Sequence, residues 1–192
     1  SVDLKKFLQT NRDADPGKKP TPTRPVEDAR MPELTEKQAA EQVLELMQRY
    51  DDPLRQIEEG AERPFSRFPI TYEHVPSFTV LLPHLLLLRD ISQVLKLRSA
   101  AEIELGQAAP AARDTLLLLG LADSMRDEPI LISFLVRQAL LQISLQPLAE
   151  GMSRHLWSDA QLMEFQKQLQ ERVLLPDLTK ALRGEIVFGG FT

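Results

Sequence analysis

Arg137 is the polar residue whose place in the sequence most strongly suggests chemistry. It lies in an apolar stretch with Phe134, Leu140 and Leu141 as neighbours at helical spacing, and no residue three or four positions away is acidic. A buried guanidinium without a partner strongly destabilises the folded state. We therefore expect a carboxylate from another helix to pair with this arginine, and Asp114 is the first choice.

Asp114 is preferred because it shares a helical stripe with three leucines, and Glu102 and Glu104 are the alternatives. The pair has two interpretations. In the structural one, a buried ion pair fixes the register of two helices. In the functional one, the arginine lies in a cleft and binds an anionic ligand together with Asp114, His155 and Trp157. The sequence leaves both interpretations open.

The histidines do not have the spacing of a metal site. His74, His84 and His155 are not paired as zinc ligands are, no calcium loop is present, and the chain contains no cysteine. Phosphate-binding loops, dinucleotide fingerprints and the nucleophile elbow of hydrolases are also missing from the sequence. We therefore expect no metal, no cofactor and no catalytic residue. Trp157 precedes a capped helix and is expected to seal the core.

The charge balance argues against binding to nucleic acid. The chain has 23 Lys and Arg against 28 Asp and Glu, a net charge of -5, whereas nucleic-acid domains usually present a basic face. Acidic residues outnumber basic ones between Glu27 and Glu62, which indicates a solvated helix face or a surface for a basic partner. The longest uncharged stretch, His74 to Leu88, is too short to span a membrane.

Prolines divide the chain into an N-terminal extension and a body. Residues 1–10 carry apolar side chains at helical spacing, and residues 11–33 contain five prolines, which predicts a helix followed by an extended linker. The body, residues 34–192, is expected to form one helical domain. Within it, residues 64–80 combine prolines with aromatic side chains and predict an ordered loop whose rings pack on the edge of the core.

The body is predicted to be all-α, an irregular bundle of about six helices with one repeat-like α-hairpin. Two capping boxes, Thr35 with Gln38 and Ser158 with Gln161, mark the starts of helices. Gly106 marks the end of a long helix, because glycine readily adopts the left-handed conformation that closes helices.

The most apolar helix is predicted to begin at Glu128-Pro129. Its apolar side chains recur on every side, which is typical of a central helix buried all round. Pro147 is expected to kink or end this helix, since proline lacks the N–H that a helix interior needs. A last helix is predicted to begin at Pro176 and to end at Gly184.

The stretch LRSAAEIELGQAAPAARDTLLLLGLADSMRDEPILISFLVRQALL, with RPFSRFPITYE before it and HLWSDAQLMEFQKQL after it, resembles a family of uncharacterised bacterial helical proteins. The resemblance covers Arg63 to Glu185. It implies an α-hairpin inside a helical bundle, and association with the cell envelope, since relatives are often anchored to the membrane by an N-terminal segment.

A second resemblance is confined to the predicted hairpin. Leu105-Gly106, Ala111 and Leu118 are similar in spacing to a tetratricopeptide-like repeat. Thr115 stands where such a repeat usually has an aromatic residue, and the sequence does not contain the three copies that a solenoid needs.

These observations favour a noncatalytic protein-interaction or structural module, with envelope association implied by the family resemblance. The alternative is a small anionic-ligand binder or a hydrolase-like helical enzyme that uses a cleft around Arg137, Asp114 and His155. The expected partners are another protein or a second copy of the chain, bound through the termini. The C-terminal sequence IVFGGFT is apolar and glycine-rich, which is typical either of a strand docked on the body or of such a contact.

Overall fold

The computed structural model describes residues 34–61, 63, 67–70 and 82–188. Within these ranges the chain forms seven α-helices and one short 3-10 helix, and it has no strand. The α-helices are α1 (Glu36–Met47), α2 (Asp51–Ala61), α3 (Pro83–Glu104), α4 (Ala108–Asp123), α5 (Leu131–Ser153), α6 (Asp159–Gln170) and α7 (Leu174–Phe188). The 3-10 turn Gln48–Tyr50 joins α1 to α2. The predicted all-α bundle is confirmed.

Helices α3, α4 and α5 pack against one another and form the centre of the bundle. Helix α1 packs on α3, α7 packs on α5, and α2 and α6 each contact α4. The central core consists mainly of leucines, among which Leu95, Leu118 and Leu140 are fully buried. Each such side chain contributes about 1.5–3 kcal/mol to folding. Hydrophobic burial therefore holds the three central helices together.

Gly106 closes α3 and turns the chain into α4. Its φ angle is +73°, in the left-handed region that side chains other than glycine rarely adopt. The Gly106 N–H donates to the Ile103 carbonyl and the Gln107 N–H donates to the Glu102 carbonyl, which is the Schellman pattern. The predicted helix end and α-hairpin are therefore present, whereas the tetratricopeptide-like resemblance stays a prediction.

Both predicted capping boxes form. The Thr35 hydroxyl accepts from the backbone N–H of Gln38 at 3.2 Å, and the Gln38 side chain accepts from the Thr35 N–H at 3.0 Å. Ser158 and Gln161 repeat the arrangement at the start of α6. These bonds satisfy backbone donors that the first turn of a helix cannot pair internally.

Two helices do not end where the sequence predicts, whereas the alternative of a kink at Pro147 stays a prediction. Helix α5 continues through the buried Pro147 to Ser153, because packing against α3 and α4 offsets the one backbone hydrogen bond that proline removes. Helix α7 continues past Gly184, where a Cβ atom would collide with the backbone carbonyl of Pro129. This glycine therefore permits close packing of two segments and does not end the helix.

Helix α5 is not buried on every side, contrary to the prediction. It begins at Leu131, and apolar side chains remain between 43% and 53% exposed on the side that no other described helix covers; they are Ile132, Leu135, Leu145 and Met152. Among the described residues, α5 alone is long and apolar enough to cross a membrane. The core helices of soluble bundles can have the same length and composition, so these two properties do not distinguish a membrane span from a core helix.

Several predictions fall on parts of the chain outside the described residues. These are the helix of residues 1–10, the linker of residues 11–33, most of the loop of residues 64–80, and the last four residues. Phe68 is the one aromatic residue of that loop within the described ranges, and it packs against the core as predicted.

Candidate functional site

Arg137 lies at the centre of a buried charge cluster built from four parts of the chain. Its Nη1 donates to Oδ2 of Asp177 on α7 at 2.7 Å, and its Nη2 donates to Oδ1 of Asp123 at the end of α4 at 3.1 Å. Arg172, from the connection between α6 and α7, lies 2.6 Å from the other oxygen of Asp123. Arg126 lies 3.5 Å from Asp177. Three guanidinium groups therefore share two carboxylates.

The cluster is closed to solvent around its central residue. Arg137 is 1% exposed and Asp177 is 7% exposed, so the pair lies inside the protein. Burial lowers the pKa of Arg172, an effect that the charge of Asp123 partly opposes. Paired guanidinium and carboxylate groups in a dry environment hold helices in register. The Nε atoms of Arg137 and Arg172 are buried and have no hydrogen-bond partner among the described residues. This arrangement matches the structural interpretation.

The expected partner of Arg137 is wrong. Asp114 bonds Arg98 on α3, Glu102 lies 3.8 Å from that same arginine, and Glu104 pairs with Arg154 at 2.7 Å. The reason is that α4 packs against both α3 and α5. The leucine stripe shows that this face of α4 is buried, but it does not show which neighbour the face meets.

Arg98 forms a second charge cluster, which sequence reasoning missed. Its Nε and Nη2 donate to the two carboxylate oxygens of Asp114 at 2.7 and 3.1 Å, and its Nη1 donates to Asp51 at 3.0 Å. Burial alone would lower the pKa of Arg98, yet the charge and hydrogen bonds of Asp114 raise it above the ordinary value. The cluster joins α2, α3 and α4.

Two carboxyl groups of the second cluster, those of Glu102 and Asp114, have pKa values above the ordinary range. Burial raises the pKa of Glu102 to about 8, and the charge of Asp114 adds to the rise. Burial likewise raises the pKa of Asp114 to about 6, against the opposing effect of Arg98. Paired carboxyls with raised pKa values occur at catalytic sites. Here, however, the residues are only 4% and 1% exposed, so a substrate cannot reach them.

His155 closes helix α5 and lies away from both clusters. Its φ angle is +52°, its N–H donates to the Met152 carbonyl, and the next N–H, of Leu156, donates to the Gly151 carbonyl. This is again the Schellman pattern, with histidine in the position that glycine usually takes. The side chain is exposed. The structure therefore does not bring His155 together with Arg137 and Asp114.

Trp157 is buried, as the sequence predicts. Its Nε1 donates to the Leu148 carbonyl at 2.9 Å, and its ring meets the edge of Phe165 at a centroid distance of 5.3 Å. A Cβ atom at Gly151 would collide with the indole ring, so the glycine makes room for it. The tryptophan seals the space between α5 and α6 and is 7% exposed, which leaves little surface for a ligand.

A third polar group was also missed. The Nε2 of His84, at the start of α3, lies 2.9 Å from Oε1 of Glu128, and both side chains are buried. The imidazole stacks on Phe68, with ring centroids 4.3 Å apart. The residues are far apart in the sequence and no spacing signal connects them. Within the described part of the chain, no group of His, Asp and Glu could hold a metal ion.

Two grooves open on the surface. One, of about 610 Å³, is lined by residues of α7 and by Pro129, with Lys180 and Arg183 at its rim. Lys180 already pairs with Asp127 at 2.6 Å. The other, of about 360 Å³, lies between α3 and α5. Neither groove contains Arg137.

The chain was compared with protein-family models, with curated proteins and with solved structures, and no match was found.

Proposed function

We propose that the chain is a noncatalytic protein-interaction module that associates with a second copy of itself through the outer face of helix α5. The observation that supports this proposal is the exposed side of that helix, where no exposed side chain between Ile132 and Ala149 is charged. The outer face consists of Leu135, Ala139, Gln142, Leu145 and Met152, all of them exposed.

A second copy is the partner that this face fits best. Two copies of a chain with a net charge of -5 repel each other over most orientations. In a two-fold contact each face meets its own equivalent, so a charged face would repel itself and an uncharged one does not. The helix has 23 residues and is therefore about 34 Å long. Its leucines can bury against those of the partner, and Gln142 can pair across the axis.

The paired and buried state of Arg137 also supports a noncatalytic role. The alternative function, an anionic-ligand binder or hydrolase-like enzyme, requires a cleft around Arg137, Asp114 and His155. These residues belong to separate environments, a buried cluster for each of the first two and an exposed helix end for the third. Membership of the bacterial family and envelope association remain proposals that rest on the sequence resemblance.

The proposal is tested by the mass of the full chain in solution. We expect light scattering to give a mass above that of the 21.8 kDa monomer at high protein concentration. Leu135→Arg should reduce the mass to that of the monomer, because two arginines would face each other across the contact. Met163→Arg is the matched control, since Met163 is a 70% exposed apolar residue on α6. Circular dichroism checks that both variants fold.

A monomeric mass for the parent chain at every concentration contradicts the proposal. Self-association through the termini, which the sequence predicts, gives a different result. In that case Phe7→Asp or Phe191→Asp lowers the mass while Leu135→Arg does not, and the α5 contact is then wrong.

A further inference from the structure

The groove between α3 and α5 is a second surface feature to which another segment can bind. It exists because Ala100 on α3 and Ala149 and Ser153 on α5 are small. Lys96 stands on the α3 wall and Glu150 on the α5 wall. The groove is about 360 Å³. Apolar and charged side chains both line it, which matches the two faces of an amphipathic helix.

The first described residue and the groove are connected through one apolar cluster. Leu34 packs against a buried cluster that includes Leu97 and Ala101 on α3. Ala100 contacts the same cluster and also lines the groove. The N-terminal residues are therefore attached to the cluster that Ala100 contacts.

The sequence of residues 1–10 matches the groove in polarity and charge. Leu4, Phe7 and Leu8 share one face at helical spacing. Asp3 precedes Phe7 by four positions and Lys5 precedes Leu8 by three, so in a helix the two charges lie on opposite edges of that face. The edges are thus complementary to the lysine wall and the glutamate wall of the groove.

We propose that residues 1–10 bind as a helix in the groove between α3 and α5 of the same molecule, with Asp3 facing Lys96 and Lys5 facing Glu150. Lys96 has no ion-pair partner among the described residues, and Glu150 has only Arg154. This proposal goes beyond self-association through α5 and does not require it.

Binding within one molecule follows from the length of the tether. The 23 residues from 11 to 33 span at most about 70 Å at roughly 3.1 Å per residue for an extended proline-rich linker, which is long enough to reach the groove. A tether that can span the two sites makes binding within one molecule independent of protein concentration. At micromolar protein, the segment of the same chain therefore outcompetes the segment of a second copy.

Pairs of introduced cysteines in the full-length chain test the proposal. The natural sequence contains no cysteine, so every disulfide formed joins the two introduced residues. Asp3→Cys with Lys96→Cys and Lys5→Cys with Glu150→Cys should each form a disulfide within one molecule. Asp3→Cys with Glu150→Cys and Lys5→Cys with Lys96→Cys are the matched controls, with the same four positions paired across the groove. We expect the first two pairs to form about tenfold faster than the controls, and Phe7→Asp to remove the difference.

Mass spectrometry and non-reducing electrophoresis read the products. Equal rates for all four pairs would show that the segment does not occupy the groove in the proposed orientation, and would overturn the proposal. Disulfide-linked dimers at low protein concentration would overturn binding within one molecule. Either result leaves the mass test of the α5 face unaffected, so the two proposals can fail separately.

Discussion

Arg137 on α5 donates to Asp177 on α7 at 2.7 Å, although 40 positions separate the two residues in the chain. Both side chains are buried, so neither charge can be solvated if the other is removed. The pair is therefore a connection inside the protein between the most apolar helix and the C-terminal helix. Its loss should be measurable as a loss of stability.

We expect Arg137→Ala and Asp177→Ala each to lower the free energy of unfolding by at most roughly 3–5 kcal/mol. Each removes the shortest ion pair of a buried charge, which keeps one other partner, Asp123 for Arg137 and Arg126 for Asp177. The double variant should lose less than the sum of the two, since it leaves neither charge alone. Denaturant melts of the four proteins give the coupling energy.

The control for this cycle is Arg137→Ala combined with Asp114→Ala. Asp114 pairs with Arg98, so the losses from these two changes should add within about 0.5 kcal/mol. Coupling of Arg137 to Asp114 but not to Asp177 would contradict the structure.

The stability of the chain should depend on the ionisation of Glu102. Its pKa rises from 4.5 to about 8 on folding, mainly because the carboxyl is buried. Because the pKa of this acid is raised on folding, its stabilising contribution to the free energy of unfolding is fully present below pH 4.5. That contribution is lost as the pH rises to about 8. Glu102→Gln cannot ionise and should avoid this loss.

We therefore expect the stability of Glu102→Gln relative to the parent to increase between pH 5 and pH 9. The change should be on the order of 4 kcal/mol, from about 1.4 kcal/mol for each pKa unit. Urea melts at the two pH values measure it. The same difference between variant and parent at both pH values would disprove the buried, neutral state of Glu102.

Gly184 and Gly120 should respond oppositely to alanine. A Cβ atom at Gly184 meets the Pro129 backbone, which cannot move aside, so Gly184→Ala should cost about 1–3 kcal/mol. Gly120 lies inside α4 with open space around it, and Gly120→Ala should stabilise by about 0.5–1 kcal/mol. Thermal melts compare the two, and equal stability would refute the close contact of α7 with Pro129.

Limited proteolysis tests the division between extension and body. We expect trypsin to cut first after Arg12, Lys18 or Arg30, within the proline-rich residues 11–33, because Lys19 and Arg24 precede prolines and are not cleaved. Cleavage at Arg137 should follow only on unfolding, because that side chain is 1% exposed. Mass spectrometry of early fragments gives the order, and simultaneous cleavage at both places would refute a separate extension.

Local signals in the sequence predicted local structure well. The capping boxes at Thr35 and Ser158 and the helix end at Gly106 were correct, because each is set by residues within five positions of one another. The burial of Arg137 was also predicted from its apolar neighbours. Such features need no knowledge of how the helices are arranged.

Long-range relationships were not predictable in the same way. The partner of Arg137 depends on which helices meet at its end of α5, and Asp177 comes from a helix that the periodicity alone does not position. The contact of His84 with Glu128 and the exposed side of α5 depend equally on the packing arrangement. Composition identified α5 as the most apolar helix but could not show which side has no neighbour.

The distance in sequence between Arg137 and Asp177 also bears on biosynthesis. At about 5–20 residues per second, a ribosome makes Asp177 roughly 2–8 s after Arg137. During that interval the nascent chain holds a guanidinium that has only Asp123 to pair with. Helices α3 to α5 can collapse, but full burial of the arginine must await α7. Translation thus imposes an order on assembly, in which the C-terminal helix completes the core.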